Sequence, residues 1–306
     1  MEKNVKKPTL ESTLKSMDTE ETLDLLFYRP IGYRWALLCQ KFGIVPNVVT
    51  VISIFIGVAG GILLGYVDLM YNVVGMALIV LANSLDSADG QLARMTGNYS
   101  RIGRILDGLS GDLWFITIYI AVCVRMMHQG WDASIFFLAA IAGVFHVRQA
   151  AMADYYRNFH LYMVKGKNGS ELDEVAKLKE TNKTLPWKGH FWKKLIMLFY
   201  INYTQGQERV SPSMQMFRQQ MKMRYGDDVP DWLRNQFRQQ SKPLMKYTNI
   251  LSFNTRIIVL FISIFVNLPW FYFVFELTVL NILLLYMISK HESICKYFVN
   301  KIVLEK

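Results

Sequence analysis

The sequence has little cysteine, and none of it is arranged to hold a structure together. Cys39, Cys123 and Cys295 lie far apart in a chain of 306 residues, without the paired spacing of a zinc site or a disulfide framework. We therefore interpret each as a small apolar side chain. The first thirty residues also lack the apolar core and cleavage site of a secretory signal, so a cleaved signal peptide is not expected.

Charged residues are scarce as well. Only 19% of the residues are charged and 52% are hydrophobic, which is too apolar for an ordinary soluble domain and too polar for a chain wholly inside a membrane. The net charge of +10 does not indicate nucleic-acid binding, because no base-reading module is visible. The basic residues instead border apolar runs, where they favour anionic lipid.

Six apolar runs have the composition of membrane spans, which must cross a hydrocarbon core of about 30 Å. They cover approximately residues 48–67, 71–87, 102–126, 133–153, 251–266 and 270–288. Before them, we predict a short surface helix in residues 9–27 and an amphipathic helix in the membrane interface around 33–38, where basic and aromatic side chains mix. The predicted fold is an all-α integral membrane protein with six transmembrane helices.

A polar insertion separates predicted helices 4 and 5. Residues 154–246 contain no apolar window of eighteen residues, and they hold 17 Lys and Arg against 9 Asp and Glu. We predict a largely helical cytosolic insertion, with an interfacial helix at about 191–203. The predicted divisions are 1–46 for the N-terminal helices, 47–153 for spans 1–4, 154–246 for the insertion and 247–306 for spans 5–6 and the tail.

The distribution of Lys and Arg predicts the orientation of the spans. Basic residues concentrate in the N-terminal segment, the 94–104 turn, the insertion and the C-terminal tail, and they are nearly absent from the other three connections. Because cytoplasmic loops are enriched in Lys and Arg, both termini and the 94–104 turn are predicted on the cytoplasmic side.

Carboxylates flanking this turn need a physical explanation, because they lie within strongly apolar sequence. They are Asp86, Asp89, Asp107 and Asp112. An acidic side chain at mid-bilayer depth costs about 2.5 to 3.5 kcal/mol, and a bound divalent cation offsets this cost. Mg²⁺ prefers carboxylate oxygens and substrate phosphates, and two such ions stabilise both groups of a displacement. The sequence predicts a metal-dependent site for phosphoryl transfer.

The spacing of these residues predicts that they converge. Asp86 and Asp89 lie three residues apart and therefore on one helix face, whereas Asp107 begins the next span one turn after Gly103. A hairpin of two helices brings the carboxylates together. Gly90 and Ala93 leave room for a ligand or a backbone to approach closely.

The pattern Asp-x2-Asp-Gly-x2-Ala-Arg-x8-Gly-x3-Asp at residues 86–107 resembles the signature of the CDP-alcohol phosphotransferase family, also called CDP-alcohol phosphatidyltransferases. The six-span layout, the preceding interfacial helix and the entry Pro46-Asn47-x-x-Thr50 are also similar to that family. The resemblance implies displacement of CMP from a CDP-linked donor by an alcohol, with two divalent cations, Mg²⁺ or Mn²⁺, held by four aspartates. It also implies a homodimer.

Carried over to this sequence, the resemblance assigns Asp86, Asp89 and Asp107 to the metals. It implies a nucleotide-binding face formed by Asn47, Thr50, Gly90, Ala93, Arg94 and Gly103. The alternative role for Asn47 and Thr50 is to cap the first span. Arg101, Arg104 and Arg148 are candidates for binding a phosphate on the acceptor, since Arg matches phosphate geometry; the alternative is that they anchor helix ends.

The last aspartate of the signature is displaced by one residue. The family pattern places it at 111, where this chain has Gly111 followed by Asp112, and one residue rotates a helical side chain by about 100°. A π-helical turn would restore Asp112 as general base and fourth metal ligand. Alternatively, another group or a water is the base, or the chemistry proceeds with fewer metal ligands.

The expected function is a membrane transferase of phospholipid biosynthesis. It would move a phosphatidyl group from CDP-diacylglycerol to a polar alcohol such as inositol phosphate, inositol or glycerol phosphate, and release CMP. One alternative is CDP-choline or CDP-ethanolamine type transfer to a lipid alcohol. A second alternative is a transporter, although Glu276 is the only other clearly intramembrane acid in the sequence. A third is a catalytically inactive scaffold, because Gly111 stands where the family has its last aspartate.

Overall fold

A computed structural model of the protein describes residues 9–166, 169–170 and 172–304, apart from the side chains at 101, 102, 104 and 105. Within these ranges the chain forms helices and no strands. Six helical segments are long and apolar enough to span a membrane: Pro46–Leu63, Leu69–Thr96, Leu106–His128, Ile135–Lys165, Asp231–Phe265 and Trp270–Leu304. The predicted all-α membrane fold with six spans is confirmed.

Thirteen α-helices make up these spans and the regions around them in the described part of the chain. They are α1 Arg29–Lys41, α2 Pro46–Leu63, α3 Leu69–Thr96, α4 Arg101–His128, α5 Ile135–Lys165, α6 Val175–Thr184, α7 Phe191–Val210, α8 Pro212–Tyr225, α9 Asp231–Ser241, α10 Met245–Ile250, α11 Phe253–Phe265, α12 Trp270–Leu277 and α13 Val279–Leu304.

The N-terminal segment differs from the predicted surface helix over 9–27. It contains a 3₁₀ turn at Glu11–Thr13 and a helical stretch from residue 22 that passes through a π-helical turn at Asp24–Tyr28 and continues into α1. The Ser12 hydroxyl donates to the Thr9 carbonyl oxygen at 2.7 Å, and such local bonds from short polar side chains compete with helix formation.

Close approach of backbones fixes α2 against α3 in the first of two compact units, which comprises residues up to His146 together with Phe253–Thr278. A Cβ atom on Gly60 would lie 2.8 Å from the Gly75 carbonyl oxygen, and the reverse distance is the same. Small residues allow helices in a membrane to pack at such short range. The pair therefore sets how close α2 lies to the helix that carries Asp86 and Asp89.

The core of this unit lies between α3, α4, the first part of α5, α11 and α12. Its fully buried members, all with 0% exposure, include Ile79, Ile118, Val122, Ala142, Leu260 and Phe273. A buried ion pair between Arg256 and Glu276 lies in the same unit, with side-chain exposures of 1% and 0%. His146 Nδ1 lies 3.2 Å from the Arg256 guanidinium and 3.0 Å from the Tyr119 hydroxyl.

The second compact unit comprises Val147–Ser252 and Val279–Lys306. Its core is aromatic: the Phe217 ring lies 5.7 Å from the Phe237 ring and 5.6 Å from the Phe298 ring, and the Phe159 ring lies 5.1 Å from Phe237. Residues of the insertion thus share a core with the end of α5 and with α13.

A carboxylate of the last span caps the N-terminus of one helix of the insertion. Glu292 on α13 accepts hydrogen bonds from the backbone nitrogens of Ser213, at 2.7 Å, and Met214, at 3.2 Å. These are amide groups of the first turn of α8, which have no partner within their own helix. Glu292 therefore acts as an N-terminal cap from a distant part of the sequence.

Candidate active site

The α3–α4 hairpin places the acidic motif at the adjoining ends of two spans. Gly97 ends α3 in the left-handed conformation, with φ of 68°, which glycine adopts without a steric penalty. Ser100 then caps α4 by accepting a hydrogen bond from the Gly103 amide at 2.8 Å. This short turn lets the last turns of α3 face the first turns of α4.

Three carboxylates meet across this hairpin. Asp86 and Asp89 from α3 and Asp107 from α4 each offer an oxygen, and these oxygens all lie within 4.8 Å of one another. Asp89 is buried at 4% exposure, Asp86 is half-buried and Asp107 is exposed. The cluster therefore opens on one side, where a substrate can approach it.

Two hydroxyl groups contact the carboxylates. The Thr50 hydroxyl of α2 donates to Asp89 Oδ2. Ser110 Oγ lies 2.8 Å from Asp86 Oδ1 and 2.7 Å from the Asp107 carbonyl oxygen, so it connects the two helices. Sequence reasoning assigned Thr50 to the nucleotide or to a helix cap and missed Ser110. The available signal was its position three residues after Asp107, on the same helix face.

The cluster has the donor chemistry of a divalent-cation site. Carboxylate oxygens bind Mg²⁺ at about 2.0–2.1 Å and larger hard cations at up to about 2.6 Å, so oxygens on opposite sides of one ion lie roughly 4.0 to 5.2 Å apart. The carboxylate oxygens of Asp86, Asp89 and Asp107 lie within 4.8 Å of one another, and this separation is compatible with that range. Hydrogen bonds from Thr50 and Ser110 orient two of the three groups, as outer partners of metal ligands do.

Asn47 lies beside the start of α4. Its Oδ1 accepts a hydrogen bond from the Ser100 hydroxyl at 3.0 Å, and a Cβ atom on Gly103 would lie 2.5 Å from the same oxygen. Gly103 thus leaves the space that Asn47 occupies. Of the residues predicted to bind the nucleotide, Asn47 and Gly103 lie close together. Thr50 instead donates a hydrogen bond to Asp89.

Gly90, Ala93 and Arg94 lie on the last turns of α3. The Arg94 guanidinium comes within 3.4 Å of where a Cβ atom on Gly90 would be, and Arg94 Nε donates to the Thr13 carbonyl oxygen. Ala93 is half-buried. In this structure, Arg94 connects α3 to the N-terminal segment.

Gly111 and Asp112 lie in regular α-helix, because α4 is α-helical from Arg101 to His128. The π-helical turn required to return Asp112 to the face of Asp107 is therefore not formed. Counting 100° per residue, position 111 lies about 40° from Asp107 around the helix and position 112 about 140°. Among the described residues, the converging carboxylates are those of Asp86, Asp89 and Asp107, and Asp112 is an exposed residue outside this group.

Of the three arginines predicted to bind the acceptor, the structure describes the side chain of Arg148. Arg101 begins α4, but its side chain and that of Arg104 lie outside the described residues. Arg148 is exposed on α5 and belongs to the second compact unit.

Comparison with known families agrees with this geometry. Residues 43–176 match the family model of CDP-alcohol phosphatidyltransferase. This match confirms the resemblance recognised from the acidic motif, and it covers α2, α3, α4 and α5 with the three carboxylates and Thr50. Searches of curated proteins and of solved structures found no significant match.

The family gives the general reaction. CDP-alcohol phosphatidyltransferases transfer a phospho-alcohol group from a CDP-alcohol to an acceptor, and they use divalent cations. Residues 43–176 are thus similar to a transferase family, and they lie in a chain with six helical segments long and apolar enough to span a membrane.

Proposed function

We propose that this protein transfers a phosphatidyl group from CDP-diacylglycerol to a polar alcohol, releasing CMP, in phospholipid biosynthesis. The observation that carries the proposal is the convergence of Asp86, Asp89 and Asp107 at the ends of two membrane spans, within a segment of the matched family. A site at the end of a span suits a donor whose acyl chains stay in the membrane while its pyrophosphate reaches water.

Asp86, Asp89 and Asp107 are the proposed ligands of two divalent cations, Mg²⁺ or Mn²⁺. When bound, the cations neutralise the pyrophosphate of the donor and the charge that develops on the leaving CMP. Thr50 and Ser110 hold the carboxylates in place through their hydroxyl groups. The proposed nucleotide face is formed by Asn47, Thr50, Gly90, Ala93, Arg94 and Gly103.

The acceptor hydroxyl must lose a proton to a base. A carboxylate at this site accepts it directly or through a water. Asp112 is the base that the motif suggested, but the regular α4 helix directs Gly111, not Asp112, towards the face of Asp107. This geometry favours the account in which a water or one of the three converging carboxylates takes the proton.

The acceptor class proposed here is an inositol phosphate, inositol or glycerol phosphate. Arg101, Arg104 and Arg148 are the proposed contacts to an acceptor phosphate, because a guanidinium binds phosphate with two parallel hydrogen bonds. The proposed orientation places both termini and the acidic hairpin on the cytoplasmic side, where soluble acceptors are available. A homodimer is the proposed assembly.

The decisive experiment measures CMP release from CDP-diacylglycerol by the purified protein in detergent. Mg²⁺ or Mn²⁺ is added, and inositol, inositol phosphate and glycerol phosphate are compared as acceptors. We expect CMP release that depends on both the metal and one acceptor, and that is lost in the Asp107→Asn variant. Activity only with a CDP-choline or CDP-ethanolamine donor and diacylglycerol would support the alternative branch.

Absence of CMP release under every condition, with the metal bound, would contradict the transferase and favour a scaffold. Transport by a path of intramembrane acids has less support. Such a path needs acids spread over several spans, whereas Asp86, Asp89 and Asp107 lie at one hairpin and Glu276 is paired with Arg256 inside the first unit.

A further inference from the structure

The first half of α7 presents an apolar face that the described residues leave uncovered. Trp192, Ile196 and Phe199 lie at positions i, i+4 and i+7, and their side chains are 73%, 45% and 68% exposed. This spacing places the three on one side of the helix. Ile201, on the opposite side, is buried at 6% exposure.

The second half of α7 is fixed to a membrane-spanning helix. Gln207 Nε2 donates to the Ala151 carbonyl oxygen of α5 at 2.8 Å, and both residues are buried. The 31 residues of α5 give a helix of about 46 Å, and Ala151 lies about 24 Å from its first residue. A hydrocarbon core is about 30 Å thick, so a core that begins at Ile135 would end about 6 Å beyond this contact.

Basic residues accompany the apolar face. Between positions 177 and 194 there are six lysines and one acid, Glu180. Lys188 is exposed in the turn before α7, Lys193 is exposed next to Trp192 in sequence, and Lys194 lies 5.1 Å from the centre of the Trp187 ring. Lysines near a membrane surface gain about 1 kcal/mol each from anionic lipid, and Trp is enriched at the depth of the headgroups.

We propose that the Trp192 face, defined as Trp192, Ile196 and Phe199, docks on the surface of a bilayer containing anionic lipid. The helix lies in the interface plane, with the three apolar side chains inserted and with Lys188 and Lys193 at the level of the phosphates. This is the arrangement of interfacial amphipathic helices. The proposal concerns lipid binding by the insertion, and it does not depend on the transfer reaction.

The test uses the full chain in lipid nanodiscs made of phosphatidylcholine with phosphatidylglycerol. A nitroxide spin label is attached to a cysteine placed at Trp192, at Phe199 or, as a control, at Asp227, which is exposed in the turn after α8. Cys39, Cys123 and Cys295 are buried, and burial raises the pKa of the Cys39 thiol, so labelling favours the introduced cysteine. Accessibility to oxygen is compared with accessibility to a nickel chelate.

Labels at Trp192 and Phe199 are expected to favour oxygen over the nickel chelate by several-fold, and the label at Asp227 is expected to favour the nickel chelate. Equal access of the nickel chelate to all three labels would overturn the proposal. Strong dipolar coupling between labels at Trp192 in two copies would also overturn it, because the face would then be covered by protein.

The contribution of anionic lipid is tested with the double variant Lys188→Glu/Lys193→Glu in the same labelled chain. We expect this variant, and the unaltered chain in pure phosphatidylcholine, to shift the Trp192 label towards access by the nickel chelate. No shift in either case would refute the role of anionic lipid. These lysines are exposed, and an unchanged size-exclusion profile shows that the variant is folded.

Discussion

Ser110 on α4 contacts Asp86 on α3, with the serine hydroxyl oxygen 2.8 Å from Asp86 Oδ1. The same hydroxyl lies 2.7 Å from the Asp107 carbonyl oxygen of its own helix. One buried side chain therefore joins the two helices at the candidate metal site. The orientation of Asp86 depends on a residue that itself offers no strong metal ligand.

Replacement of this hydroxyl tests its role in positioning Asp86. We expect Ser110→Ala to weaken Mn²⁺ binding by about 10- to 100-fold, as removal of outer partners of metal ligands does. Binding is measured by electron paramagnetic resonance of free Mn²⁺. Ser84→Ala is the matched control, because Ser84 is also buried and donates to the Leu81 carbonyl oxygen at 2.7 Å. Equal affinities in the two variants would count against this role.

Removal of a proposed ligand has a larger effect. We expect Asp107→Asn to weaken Mn²⁺ binding by more than about 100-fold, because a ligand contributes more than its outer partner. The same titration measures it, so the result does not require a known substrate. Asp132→Asn provides the control, since Asp132 is exposed in the turn before α5. Wild-type affinity in Asp107→Asn would show that the three carboxylates do not form the metal site.

Substitutions at Gly111 and Asp112 are expected to have different effects on the site. With α4 regular, we expect Asp112→Asn to change turnover by less than about tenfold, because its side chain points about 140° away from that of Asp107. Gly111→Asp adds a carboxylate about 40° from Asp107, and no atom lies within 4 Å of the new Cβ. We expect tighter Mn²⁺ binding in this variant. A drop of several orders of magnitude in Asp112→Asn would restore Asp112 as the base.

The contact between α2 and α3 predicts a stability effect. Gly60→Ala would place a Cβ atom 2.8 Å from the Gly75 carbonyl oxygen, and the helices must separate to accommodate it. Overpacking of this kind costs about 1–3 kcal/mol. Thermal unfolding in detergent measures the loss. Gly206→Ala on α7, where no atom lies within 4 Å of the added Cβ, should not lower the midpoint.

The Arg256–Glu276 pair gives a second stability test. Glu276→Leu leaves the Arg256 guanidinium, only 1% exposed, without its carboxylate, and such a loss costs about 3–5 kcal/mol. In Arg256→Met/Glu276→Leu, both charges are removed and most of the loss should be recovered. Unfolding midpoints of the two variants are compared. A double variant no more stable than Glu276→Leu would show that apolar side chains do not substitute for the pair.

The spans and the convergence of three aspartates followed from physical rules that act locally. Apolar length predicted the six spans, and the three-residue spacing of Asp86 and Asp89 predicted a shared helix face. The positions of Thr50 and Ser110 were not predictable in the same way. Their contacts depend on how α2, α3 and α4 pack, which periodicity along one helix does not specify.

The local helix geometry at Gly111 was also not predictable from the sequence. Glycine permits both a regular α-helix and a π-helical turn, so the residue type did not decide between them. The insertion shows the same limit at longer range. Its composition carried no signal that Phe298 of the last span packs on Phe217 of the insertion.

The cap from Glu292 to α8 has a consequence for biosynthesis. The ribosome begins α8 nearly eighty residues before it reaches Glu292, which follows Ser213 by 79 positions. Phe298, which packs on Phe217, emerges later still. The insertion therefore leaves the ribosome with exposed aromatic side chains and with amide groups that have no partner. It reaches its packed state only after translation of the final helix, so truncation of the last span should send the whole insertion to quality control.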